Sequence, residues 1–393
     1  MTDRISVGAT RATPQLTTRD PRLDFFRGIA MFIILIAHTP GNWLTLWIPA
    51  RFGFSDATET FVFCSGMASA IAFGKVFRDR GLSMGSARVA FRLWQVYWAH
   101  LGLFFAIATT MAALNMIFPD GRNYIGQLNL YHFFKDPGPQ LIGLFTLTYV
   151  PNYFDILPMY LVILAMMPLM LALAQIHKGL MAAAVLAFWL MANYGNLSFP
   201  AEPWSERQWF FNPFGWQLIF FTGFAFMSGW LPAPPKSRTL FWLAVAIVLI
   251  VLPFAYFRIL REVAFFSEGR AALGGLINKT DFGILRYVHF LATAYVAWML
   301  VGPRGENIRT TDARNIFAGI WRFCLPVIMK VGQQSLAVFV ASMYIARLLG
   351  VLFDLWGRSY ATMVFVNLIG FCAIIAVAYG AGWFKSNPWR KVV

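Results

Sequence analysis

Runs of about 20 apolar residues, each closed by short polar or charged text, recur from near residue 25 to near residue 384. As an α-helix, each run is long enough to cross a hydrocarbon layer of roughly 30 Å. About ten can be drawn: 25–47, 57–77, 93–118, 154–175, 179–195, 213–232, 239–258, 285–303, 329–352 and 361–384. The pattern predicts an all-α polytopic membrane protein. The first run contains Pro40 and the fifth is short. An even number of spans puts both termini on one side. With the N-terminus in the cytoplasm, about 21 Lys and Arg fall on inner segments and about 11 on outer ones, the positive-inside bias. The inner basic text is Arg4, Arg11, Arg19 and Arg22, then Lys75 to Arg92, Arg304 to Lys330, and Lys385, Arg390 and Lys391. The outer stretch from Arg258 to Arg286 is nearly as basic but also carries Glu262, Glu268 and Asp281.

Composition agrees with the periodicity. The 393 residues are 59% hydrophobic, 17% aromatic and only 12% charged, which no ordinary soluble domain shows. A net charge of +15 raises the idea of nucleic acid, but the charges sit in short loops beside apolar runs. Membrane topology and anionic headgroups account for them. Cys64, Cys324 and Cys372 form no C-x-x-C pair, so neither a disulfide framework nor a metal site is expected. Residues 1–20 read as a flexible cytoplasmic tail without a signal-peptide cleavage site. Residues 21–393 read as a single membrane domain, surrounded by lipid, with self-association left open.

The ionisable residues inside the apolar text are the informative ones. In RLDFFRGIAMFIILIAHTPGNWL, Arg27 and His38 differ by only about 20° around a helix and by about 16 Å along it. Asp24 lies near the same face, and Gly28 leaves room beside Arg27. Headgroup contact for Arg27 and an interhelical bond for His38 would be the bland reading. Ionisable groups within a membrane are costly, however, and mark functional sites by default. The next run opens RFGFSDATETFVFCSG, where Asp56 and Glu59 share a face at the outer end. Glu59 is placed to reach His38 and raise its basicity. The same residues also spell a helix-capping box from Ser55 or Asp56, and both readings can hold together.

Other polar groups cluster at the mouths of the spans. Asn152 and Asp155 stand at the outer mouth of the fourth, Trp216 and Gln217 at that of the sixth, and Arg286 and His289 enter the eighth. The outer loops GRNYIGQLNLYHFFKDPGPQ and NLSFPAEPWSERQWFFNPFGWQ are rich in aromatics and amides, which suit sugar rings. An interfacial aromatic belt is the competing explanation. At the inner side, Gln334 and Ser335 open the ninth span, and Arg88 and Arg92 precede the third.

RLDFFRGIAMFIILIAHTPGNW, GFSDATETFVFCSG, PNYFDILPMYLV, FNPFGWQ and GQQSLAVF, in this order, resemble the OpgC proteins, membrane succinyltransferases of osmoregulated periplasmic glucans. The likeness runs from about residue 19 to near the C-terminus. Arg27 and His38 also match the Arg, ten residues, His spacing of the wider acyltransferase-3-like group. The resemblance implies succinyl transfer from cytoplasmic succinyl-CoA, a substrate rather than a bound cofactor, to glucose hydroxyls of a periplasmic glucan. It implies ten spans in a bacterial inner membrane with both ends cytoplasmic. By carry-over, His38 is the catalytic base and Arg27 serves the acyl-CoA, while Asp56 and Glu59 belong to the motif.

Added to the residue pattern, this gives a working assignment. His38, Glu59 and Asp56 form the catalytic group. Arg27, Asp24, Arg88, Arg92, Gln334 and Ser335 hold acyl-CoA. Asn152, Asp155, Trp216, Gln217, Arg286 and His289 receive the acceptor, and no metal is involved. Arg286 or Arg347 would suit a succinyl carboxylate. Transfer of acetyl or another acyl group to a different glycan is one alternative. A transporter of a sugar or lipid-linked precursor is another, against which stands the lack of an inverted-repeat signal.

Overall fold

The computed structural model describes residues 20–119, 121–309 and 316–390. The expected tail, apart from Asp20, lies outside the described residues. What is described is helical, with one isolated antiparallel bridge between Pro200 and Gln208.

Helix α1 spans Pro21–His38. Asp20 caps it by accepting from the Arg22 N–H at 3.0 Å, and Pro21 suits the first helical position. The predicted run continued to residue 47, but the helix stops at His38. Pro40 disfavours helical backbone at the residue before it, and Gly41 follows at φ +74°. The chain then makes 3₁₀ turns at Trp43–Leu46 and Pro49–Arg51. His38 is therefore the last residue of a helix end rather than a mid-helix residue.

Helix α2, Ala57–Ser69, begins with the capping box in which Asp56 and Glu59 take part. A π-helical turn at Ala70–Gly74 leads into α3, Lys75–Ile117, which breaks at Gly81 (φ +79°). The basic text from Lys75 to Arg92, read as a loop, is helical. Then follow α4 (Ile156–Ile176), α5 (Lys178–Tyr194), α6 (Pro213–Met227), α7 (Arg238–Ala255) and α8 (Ile284–Val301). The predicted ninth run, 329–352, corresponds to α10 (Ser335–Trp356); before it stands α9 (Ile316–Gln333), a helix in the stretch read as inner basic text, and α11 (Tyr360–Lys385) closes the bundle.

Among the described residues, seven helical stretches are long and apolar enough to cross a membrane: Ala57–Ile117, α4, α7, α8, α9, α10 and the stretch from Tyr360. The apolar α5 and α6 are shorter. Helix α1 carries Arg22, Asp24 and Arg27 in its first two turns. Although α9 is long enough, its contacts cross α1 rather than follow it. Trp321 meets Phe25 edge-on at 5.9 Å, while Gly332, three turns later, lies against the Asp24 carbonyl. Both contacts sit at the Pro21 end.

Close helix packing is set by reciprocal glycines. A Cβ at Gly66 on α2 would overlap the Phe220 carbonyl of α6, and one at Gly223 on α6 would overlap the Phe63 carbonyl. Gly28 against Ile328 and Gly332 against Asp24 do the same for α1 and α9. Such small residues let backbones approach where lipid gives no hydrophobic driving force. The described chain begins and ends at one face: the Arg27 guanidinium bonds Ser335, and Lys385 donates to Gln334 at 2.7 Å.

Candidate functional site

Two polar assemblies lie at opposite ends of α1. At its first turns, Arg27 shares a cavity of about 280 Å³ with Arg88, Arg92, Gln95, Ser65 and Ser69. α2 supplies the serines, and α3, folded back at Gly81, supplies the other two arginines. Arg92 donates to Gln95 at 3.0 Å, and Arg27 bonds the Ser335 hydroxyl. Three of the residues predicted to meet a donor thus converge, with Ser335 bonded to one of them. Asp24 is buried in α1 and Gln334 turns toward Lys385, so neither lines this cavity. Converging guanidinium groups bind phosphate oxygens by charge-assisted, often bidentate, hydrogen bonds.

At the other end, His38 Nδ1 lies 2.8 Å from the Ile34 carbonyl, one turn back. A carbonyl only accepts, so Nδ1 carries the proton and Nε2 keeps its lone pair. The imidazole meets the Tyr153 ring edge-on at 5.4 Å. Tyr153 takes φ +89°, unusual for a bulky residue, and its hydroxyl donates to the Met343 carbonyl at 2.6 Å. Burial pushes the Tyr153 phenol up to about 12 against the opposing pull of Arg347. The hydroxyl therefore stays protonated and the ring stays fixed.

Glu59 does not pair with His38 as expected. Its carboxylate is fully buried, accepts from Arg286 Nε at 2.8 Å and from the Asp56 N–H at 2.7 Å, and has no capacity directed at the imidazole. The physical reason is the capping box, which folds Glu59 back onto its own helix start, together with the arrival of α8 beside it. Asp56 meets Lys279 at 2.6 Å and Arg286 at 3.8 Å. Burial alone would raise the Asp56 carboxyl, but the two cations outweigh it and hold it well below the usual carboxylate range. His289 Nδ1 accepts from the Ser55 N–H at 3.3 Å and lies 2.7 Å from its hydroxyl. Arg286 and His289, read as acceptor contacts, thus fasten α8 to the start of α2.

Trp216 and Gln217, expected to receive the acceptor, lie inside the bundle. Both are fully buried, with the indole N–H donating to the Lys279 carbonyl at 2.9 Å and the amide to the Val185 carbonyl at 2.7 Å. The segment 275–283 folds over the start of α6 and is tied there by Asn212 and Asp281 at 2.9 Å, so neither residue faces a solute. Asn152 is exposed beside Arg207 at 3.4 Å, while Asp155 is buried.

The two aromatic loops meet. His132 stacks on Trp204 at 3.9 Å and Tyr149 leans on the same indole at 5.6 Å, a platform suited to a sugar face. Tyr124 is buried in the core and Phe133 packs against it. A second, mostly apolar cavity of about 470 Å³ runs from Arg22 to Ser55, Asp56 and His289 along another face of α2, and contains neither Arg27 nor His38.

Tyr153 and Lys279 were not among the predicted site residues, and Arg347 was named only as one of two cations suited to a succinyl carboxylate. Only PNYFD, polar text abutting a span, signalled the first.

Long apolar helices, a cationic cavity at one end and a histidine with a free ring nitrogen at the other define a multi-pass membrane protein that can hold polar groups at both ends. The family model described as OpgC protein matches residues 19–386, and the chain belongs to that family. Membership makes it a glucan-modifying acyltransferase. No curated protein and no solved structure matches the chain.

Proposed function

We propose that this protein moves a succinyl group from cytoplasmic succinyl-CoA to glucose hydroxyls of an osmoregulated periplasmic glucan, as an O-acyltransferase of a bacterial inner membrane. In this reading α9 lies along the cytoplasmic face, ten other helical segments span, and both termini are cytoplasmic. The observation that carries it is the His38 hydrogen bond to Ile34, which leaves Nε2 as a base at the end of α1 remote from the Arg27 cavity.

Arg27, Arg88 and Arg92 hold the CoA phosphates at the inner face, and the pantetheine arm reaches along the bundle toward His38. A glucosyl hydroxyl held near the His132–Trp204 platform attacks the thioester carbonyl. The new C–O ester bond forms, the C–S bond breaks, His38 Nε2 takes the hydroxyl proton, and that proton passes to the departing CoA thiolate. Asp56 and Glu59 serve by fixing the start of α2 and, through Arg286 and Lys279, the outer end of α8. Direct transfer within a ternary complex needs no acyl-enzyme.

The test is purified full-length protein with succinyl-CoA. Free CoA should appear only when glucan is added, and His38→Ala should abolish release while leaving the melting temperature unchanged. Glucan-dependent release that persists in His38→Ala would remove His38 from the chemistry. Absence of release from the wild type would favour transport.

A further inference from the structure

Arg347 lies on α10, one turn beyond Met343, whose carbonyl holds the Tyr153 hydroxyl. Its guanidinium carbon sits 3.9 Å from the centre of the Tyr153 ring, the ring that His38 meets edge-on at 5.4 Å. Histidine and arginine therefore share one aromatic neighbour, and that neighbour is pinned at φ +89°.

Most of the other charges at this face are matched. Asp56 has Lys279 at 2.6 Å, Glu59 has Arg286, Glu202 has Arg207 at 2.9 Å, and Asp354 has Arg358 at 2.7 Å and Arg122 at 3.2 Å. Asp155, the remaining buried acid, has an Oδ1 without a hydrogen-bond partner among the described residues, and the cation acting on it is Arg207. Arg347 makes no ion pair among the described residues, and its buried Nε has no acceptor there. A half-buried guanidinium without a counter-charge is expensive in a membrane. Stacking on Tyr153 recovers a part of that cost and fixes the plane of the fork. A planar guanidinium whose Nε has no acceptor, set close to the base, is complementary to a carboxylate.

We propose that Arg347 receives the terminal carboxylate of the acyl group while its carbonyl carbon stands at His38. Arg347 thereby selects donors carrying a dicarboxylic half-thioester over neutral acyl-CoA of the same length. This rests on the acyl-transfer reading above and deepens it. Tyr153 acts as a positioning residue for both side chains.

Full-length purified protein should be compared with succinyl-CoA and butyryl-CoA, which share a four-carbon acyl chain but differ in the terminal carboxylate, using glucan as acceptor. The wild type should favour succinyl-CoA in kcat/KM. Arg347→Gln should lower succinyl use by about 10- to 100-fold and leave butyryl use within about twofold, with Arg347→Lys between the two. The butyryl rate reports that the variant is folded. Equal loss with both donors, or an unchanged preference, overturns the proposal. Equilibrium binding of the two esters without glucan separates the two readings. Arg347-dependent binding of succinyl-CoA in a protein that transfers nothing keeps the carboxylate site and removes the transferase reading. Transfer without Arg347-dependent preference removes the carboxylate site alone.

Discussion

The Glu59–Arg286 pair gives the sharpest stability prediction, because the two partners are unequally supported. Glu59 is 0% exposed, and apart from the Asp56 N–H its carboxylate has only Arg286. Arg286→Met leaves a buried carboxylate with one hydrogen bond, at a cost of about 3–5 kcal/mol. Glu59→Gln is milder. The amide oxygen still accepts from the Asp56 N–H, and the guanidinium keeps Asp56 at 3.8 Å, so about 1–3 kcal/mol is expected. Adding Glu59→Gln to Arg286→Met removes the orphaned charge and should recover stability. Thermal melting of the purified proteins in one detergent should therefore place the double variant above Arg286→Met alone. If the second substitution lowers the melting temperature further by its full single-variant effect, the two side chains are uncoupled and the reasoning fails.

Three further outcomes follow from the same geometry. Asp56 has a depressed folded pKa, so its ionised form stabilises the fold fully above the unfolded value of about 3.9, and that contribution is lost as pH falls through the folded value. Melting curves of wild type and Asp56→Asn should differ by a constant amount from about pH 5 to 8 and converge below about pH 4; divergence on acidification would contradict the Lys279 pairing. Gly66→Ala should cost about 1–3 kcal/mol, since the obstructing atom is backbone, whereas Gly380→Ala, with nothing within 4 Å, should be neutral in the same melt. Arg88→Gln with Arg92→Gln should raise KM for the CoA donor roughly 5- to 20-fold, discounted for exposure, with kcat preserved; steady-state kinetics showing the loss in kcat instead would move the phosphates elsewhere.

Most of the helical layout was legible because lipid imposes length and apolarity on every span, and the observed ends of α4 to α8 and α11 fall close to the predicted runs. Two boundaries were not. Pro40 and Gly41 cut α1 at His38 while hydrophobic text continued into Trp43 and Leu44. Arg322 and Lys330 mark the stretch around them as inner basic text, yet it forms α9, and the polar text around Gln334 rather than residue 329 opens α10. The convergence of Arg27, Arg88 and Arg92 on one cavity could be anticipated from the chain because arginines near helix ends carry a simple electrostatic meaning. The opposite end was harder. Trp216 and Gln217 look solute-facing until the segment 275–283 covers them, and Glu59 looks like a partner for His38 until α8 brings Arg286. The link from His38 through Tyr153 to Arg347 joins residues far apart in the chain, and no periodicity encodes it.

The most direct measurement is mass spectrometry of periplasmic glucans from a strain lacking this activity, carrying wild type, His38→Ala or an empty vector at equal membrane levels. Transfer through His38 predicts glucans heavier by whole succinyl residues with the wild type, and unmodified glucans with His38→Ala and the vector. Succinylated glucan in the His38→Ala strain at wild-type abundance would contradict it.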